Sequence, residues 1–151
     1  MTETNFDSKD IKIKEAPSVD MNTPIPQLLS AGTIINATNE IIMVYGGSSL
    51  PPYDNDFHGL KPGQRTADGW DCDGFYLPND RIIVQQVMPN KKGPAAVKIK
   101  NYQTASITQD YDQYKIDTHN WGVYRLGEIN WYIPNNTAKE ITEIWSKILG
   151  N

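Results

Sequence analysis

From residue 32 to residue 133 the chain alternates short apolar runs with clusters of Gly, Pro, Asn and Asp. Strands punctuated by turns at this spacing are the pattern of an all-β antiparallel sandwich, and we expect about eight or nine short strands. Residues 33–35 and 40–45 flank Asn36-Ala37-Thr38-Asn39, whose asparagines tolerate left-handed backbone geometry, so a first hairpin is predicted there. Further strands are expected at 74–77, 81–88, 95–100, 105–108, 113–118, 122–126 and 129–133. Pro89-Asn90-Lys91-Lys92-Gly93-Pro94 and Gly127-Glu128 read as turns joining antiparallel neighbours.

The period changes at the C-terminus. Ile141, Ile144, Trp145, Ile148 and Leu149 recur at helical spacing and fall on one face, which predicts an amphipathic helix over about 137–149. Thr137 with Glu140 three residues later forms a capping-box sequence, Pro134 disfavours an earlier start, and Gly150 suits the exit. A helix this short is marginal alone, so its apolar face is expected to dock on the sheet. The polar residues 1–24 read as a flexible, disordered tail, since the alternation Ile11-Lys12-Ile13-Lys14 is isolated, and residues 25–151 read as one domain.

Composition narrows the class. In 151 residues, 38% hydrophobic and 21% charged, a formal charge of −4 speaks against both a disordered polyelectrolyte and a nucleic-acid binder. With no apolar run long enough to span a bilayer and a polar start, the expectation is a soluble chain made in the cytoplasm, with signal-independent export as an option. The single cysteine, Cys72, leaves stability to packing.

Two stretches carry candidate chemistry. The loop Tyr53, Asp54, Asn55, Asp56, Phe57, His58, together with Trp70, combines aromatic rings with amides and carboxylates, the mix that stacks on a sugar face or meets a protein surface. Asp68, Asp71, Asp73 and Asp80 are the candidate metal ligands, and alternating Asp71 and Asp73 before Gly74 resemble the middle of a calcium loop. That frame is incomplete: with Gly74 at its sixth position, Gly69 and Asp80 fall where a carboxylate and a bidentate Glu belong. The competing reading has these Asp residues shaping tight turns while Trp70 and Phe75 enter the core.

A second polar and aromatic stretch holds Tyr111, Tyr114, His119, Asn120 and Trp121, whereas Tyr124 and Trp131 at strand spacing are expected in the core or in cross-strand pairs. Cys72 with His58 or His119 lacks any catalytic context and reads as an inert thiol, and these residues lack the spacing of a zinc site. No phosphate-binding glycine loop, dinucleotide fingerprint or Gly-x-Ser-x-Gly appears. Asn36-Ala37-Thr38 and Asn135-Asn136-Thr137 match a glycosylation acceptor but are read as turn and cap residues.

These readings converge on a non-catalytic binding module for a glycan or protein partner, one version being a bacterial toxin or effector component, with calcium as an optional cofactor. The alternatives are an inhibitor or immunity-type protein capping a partner enzyme, and a small hydrolase built on the acidic cluster.

Overall fold

In the computed structural model, which describes residues 11–26, 31–47, 56–85, 88–100, 102–118 and 120–148, the apolar runs sort into two mixed sheets. In chain order the elements are β1 (Lys12–Glu15), β2 (Ser18–Asp20), β3 (Thr33–Ala37), β4 (Ile42–Gly46), β5 (Asp56–Leu60), β6 (Gln64–Thr66), β7 (Cys72–Leu77), β8 (Ile82–Ile83), β9 (Lys91–Lys92), β10 (Ala95–Ile99), β11 (Thr104–Asp110), β12 (Gln113–Ile116), β13 (Trp121–Tyr124) and α1 (Ala138–Ile148). The first sheet runs β1-β5-β4-β7-β10-β13 and the second β2-β6-β3-β11-β12-β8-β9.

The mainly β expectation holds, with one C-terminal helix. Purely antiparallel order does not: β1 is parallel to β5, β3 to β11, and β12 to β8. Thirteen strands, more than the eight or nine expected, occur among the described residues. Several are only two or three residues long, too short to show a period in sequence.

A first core cluster draws from both sheets. Ile42, Val44, Leu60, Phe75, Leu77, Val97 and Ile99 from one meet Ile34, Ile83, Ala105, Ile107 and Tyr114 from the other. The first sheet is also covered on its opposite face, where Ile13, Met43, Tyr45, Phe57, Tyr76 and Ala96 pack with Trp131, Ile133 and Ile141. Burial on both faces is why β4 reads as the continuous apolar run Ile-Met-Val-Tyr and all five of its residues are buried.

Three connections depart from the hairpin expectations. Residues 36–39 do not join paired strands, because β3 and β4 belong to different sheets. Buried Asn36 redirects the chain: its amide nitrogen donates to the Glu40 and Leu60 carbonyls at 2.9 and 2.8 Å, and its oxygen accepts from the Thr38 amide and hydroxyl. The stretch 89–94 is not a plain turn: its Lys91 and Lys92 form β9, antiparallel to β8, and the chain then passes to β10 in the other sheet. Residues 129–133 form no strand; they lie over the first sheet, with the Trp131 ring 4.6 Å from that of Tyr45.

The tail expectation is corrected over residues 11–24. Ile11, Ile13 and Ala16 are buried, and β1 and β2 extend one sheet each. A four-residue alternation becomes a strand once β5 offers a parallel partner, a long-range pairing invisible locally. Wholly buried Arg65 anchors residues 23–24: Nε donates to the Thr23 carbonyl and Nη2 to that of Pro24, both at 3.0 Å. Its Nη1 donates to the Thr66 carbonyl and pairs with Asp68 at 2.9 Å. Residues 1–10 lie outside the described residues.

The helix forms as the capping box predicts. The Glu140 amide donates to Thr137 Oγ1 at 3.1 Å and the Thr137 amide to Glu140 Oε1 at 2.9 Å. Ile141 is buried, Ile144 and Trp145 pack on the outer cluster, and Leu149 and Gly150 lie outside the described residues. Gly59 of β5 makes room for the helix, since a β-carbon there would stand 2.0 Å from the Trp145 ring. The upstream segment is tied by tyrosines: Tyr45 donates to the Tyr132 carbonyl at 2.7 Å and Tyr76 to that of Pro134 at 2.6 Å.

One ion pair ties the inter-sheet turn to the second sheet. Arg81 donates through Nε and Nη2 to both oxygens of Glu40, at 2.9 and 2.8 Å, and the buried Tyr114 hydroxyl also donates to Glu40. Burial pushes the Glu40 carboxyl up, but the Arg81 hydrogen bond, the Tyr114 hydroxyl and the guanidinium charge together hold it below the ordinary carboxylate range.

A folded-state value below the unfolded one means that Glu40 stabilises the fold above about pH 4.5 and that this contribution is lost as pH falls through the folded value. Arg81→Ala leaves a largely buried carboxylate unpaired and should cost roughly 3 kcal/mol in urea unfolding at pH 7. Glu40→Gln should flatten the acid limb of a plot of Tm against pH; an unchanged limb would exclude this role. Gly59→Ala should displace the Trp145 indole, lowering Tm and red-shifting the fluorescence of a variant in which the other tryptophans are replaced by Phe.

Candidate functional site

The helix and the segment before it cover only part of the first sheet's outer face. Trp145 lies over Gly59 of β5, and Trp131 lies over Gly74 of β7 and against Tyr45 of β4. At β10 and β13 an open groove of about 360 Å³ remains, lined by Lys98, Lys100, Asn120, Trp121, Gly122 and Tyr124, with Ile99 beneath. The two strands pair antiparallel, Lys98 opposite Gly122 and Ile99 opposite Trp121, and β13 is the last strand of its sheet.

The glycine shapes the groove. A β-carbon at Gly122 would meet the Tyr124 ring at 3.2 Å, so the bare backbone lets the tyrosine lie back across its own strand. Trp121 is half-buried, packs its inner side on the first core cluster and donates its indole N–H to the Thr118 carbonyl at 2.6 Å. That bond fixes the ring against the core cluster. Lys100 and Asn120 are held by the Lys100 amide donating to the Asn120 carbonyl at 3.0 Å. Tyr102, 62% exposed and in the left-handed region at φ 62°, stands on the turn closed by the Gln103 amide on the Lys100 carbonyl.

The loop residues singled out in the sequence fall differently. Tyr53, Asp54 and Asn55 lie outside the described residues, and of Asp56 only the backbone, in β5, is described. Phe57 presents no surface: it is fully buried, 5.0 Å from the Tyr45 ring and 5.7 Å from that of Tyr132. His58 is half-buried with its ring edge-on to Trp70 at 5.0 Å, and Trp70 packs on the first core cluster. Gly47, at φ 88°, admits the indole, since a β-carbon there would stand 2.4 Å from Trp70 Nε1.

Three of the four aspartates are engaged in separate structural tasks. Asp68 pairs with Arg65, Asp71 accepts the Gly32 amide at 2.7 Å, and Asp80 accepts the Ala138 amide at 2.9 Å as a cap on α1. Asp73 also has an interaction partner. Among the described residues no three His, Cys, Asp or Glu side chains are placed to hold a metal ion.

Cys72 is buried in the first cluster, and its thiol donates to the Gly74 carbonyl at 3.5 Å. Burial, with the charges of Asp73 and Asp71 adding to it, raises its pKa far above the ordinary value and outweighs the opposing Gly74 bond, so the group is a thiol and not a thiolate at neutral pH. His119 lies outside the described residues. Among the described helices none is long and apolar enough to cross a membrane.

Asn120 and Trp121 belong to the second polar and aromatic stretch, and Tyr124, expected in the core or a cross-strand pair, is paired across the sheet with Ala96 and also lines the groove. A signal was present, because Gly122 beside two aromatics breaks a strand's usual filling and marks a place where something lies close to the backbone. Compared with known proteins, the chain matches no family model, no curated protein and no solved structure.

Cys72 should react with a disulfide reagent at pH 8 in the native state at least about a hundredfold more slowly than in urea. A native rate equal to the unfolded rate would show that the thiol is accessible and reopen its candidacy as a nucleophile.

Proposed function

We propose that this protein is a non-catalytic binding module, a β-sandwich scaffold that takes a saccharide in the groove between β10 and β13. The observation that carries the reading is the grouping of the partly exposed Tyr124 ring with the Asn120 amide and two lysine ammoniums around one open groove, with Trp121 also in its lining. A sugar presents an apolar C–H face and a rim of hydroxyls, and this set offers a stacking surface beside hydrogen-bond donors and an acceptor. The buried state of Cys72 and the structural use of the aspartates support binding over hydrolysis. The sheet floor lends rigidity, which lowers the ordering cost of binding.

Titration of the isotope-labelled protein with a panel of oligosaccharides should shift the Trp121 indole and Gly122 amide resonances together. Tyr124→Ala, which removes a ring lying outside both core clusters, should weaken that binding roughly tenfold. Failure of every oligosaccharide at millimolar concentration to move those resonances would refute the proposal.

A further inference from the structure

Resting on that reading, we infer that the saccharide is anionic, carrying a carboxylate or a sulfate that the Lys98 and Lys100 ammoniums receive. The two lysines stand at alternate positions on β10 and its extension, are both exposed, and form no salt bridge among the described residues. Among the described residues no carboxylate lines the groove. In a chain with a formal charge of −4, two uncompensated cations in one groove are not a by-product of a generally basic surface.

The register makes Lys98 the centre of the arrangement. Its neighbours across the sheet are both glycine, Gly74 on β7 and Gly122 on β13. Each glycine lies beneath a ring, Gly74 beneath Trp131 and Gly122 beneath Tyr124, so Lys98 rises between two aromatic walls. Flanking rings confine its methylene stem while the ammonium stays at the mouth. Lys100, one pleat further along, stands beside Asn120 at the other end of the groove. A sugar stacked on the Tyr124 ring thus has a cation beside it, and one reaching toward Asn120 meets a second. A neutral sugar would use the rings and leave both charges unmatched.

The test is a low-salt calorimetric and NMR titration with trigalacturonic acid, its neutral counterpart galactotriose, a sulfated galactose trimer, and sodium acetate and sodium sulfate alone. The acidic trimers should bind at least about tenfold more tightly than galactotriose, an advantage that shrinks in about 0.5 M NaCl and disappears in the Lys98→Gln/Lys100→Gln variant. Both lysine side chains are exposed, so the variant should keep the wild-type Tm, and unchanged Trp121 indole and Gly122 amide resonances in the unliganded variant report an intact groove. A preference between the two acidic trimers identifies the charged group, and either preference supports the inference. Equal binding of galactotriose and the acidic trimers would overturn the anionic assignment and leave the binding module standing. Silence from every trimer would overturn the binding reading itself. Equal shifts from acetate or sulfate alone would overturn the saccharide and leave only an anion site.

Discussion

The constraint on which the rest of the architecture depends is that the first sheet must be buried twice. Its strands β4 and β7 carry apolar side chains on both faces, with Val44 and Phe75 toward the second sheet and Tyr45 and Tyr76 away from it. Two sheets alone would leave Tyr45, Phe57 and Tyr76 in water. The chain answers with a third layer, residues 129–133 and α1, laid over β1, β5, β4 and β7. Where that layer ends, the composition of the sheet surface changes from large apolar groups to Lys98, Gly122 and Tyr124. The groove is therefore a consequence of how far the cover extends.

Polar groups set the geometry that apolar burial leaves undetermined. Hydrophobic contact is non-directional, so it cannot by itself choose which strand follows which. Asn36 makes the choice between sheets by satisfying carbonyls on either side of the crossing, and the Tyr45 and Tyr76 hydroxyls fix where the C-terminal segment lies. Arg65 does the same for residues 23–24, and a guanidinium wholly out of water is tolerable because its donors are matched by carbonyls and a carboxylate.

How much of this was legible in the sequence depends on the range of the interactions involved. The helix was read almost residue for residue, since capping by Thr137 and Glu140 and the spacing of Ile141, Ile144 and Trp145 are local properties. Strand positions such as β10 and β12 were also legible. Sheet membership was not, because a turn like 36–39 looks the same whether its flanks pair with each other or part company. The β1 strand needed β5, more than forty residues away, to exist at all. The site was half legible: the rings and amide at 120–121 drew notice, but Lys98 and Lys100 meet them only through pairing with β10. Phe57 was misread for the converse reason, as its acidic neighbours mark a loop while its ring belongs to the core.

The third layer also has a bearing on how the chain is made. Trp131, Ile133 and Ile141 come after every described strand in the sequence, so a ribosome delivers both sheets before it delivers the cover for one of them. Until those residues emerge, the nascent chain carries a bare aromatic face of Tyr45, Phe57 and Tyr76, the kind of surface that chaperones bind and that drives association between unfinished chains.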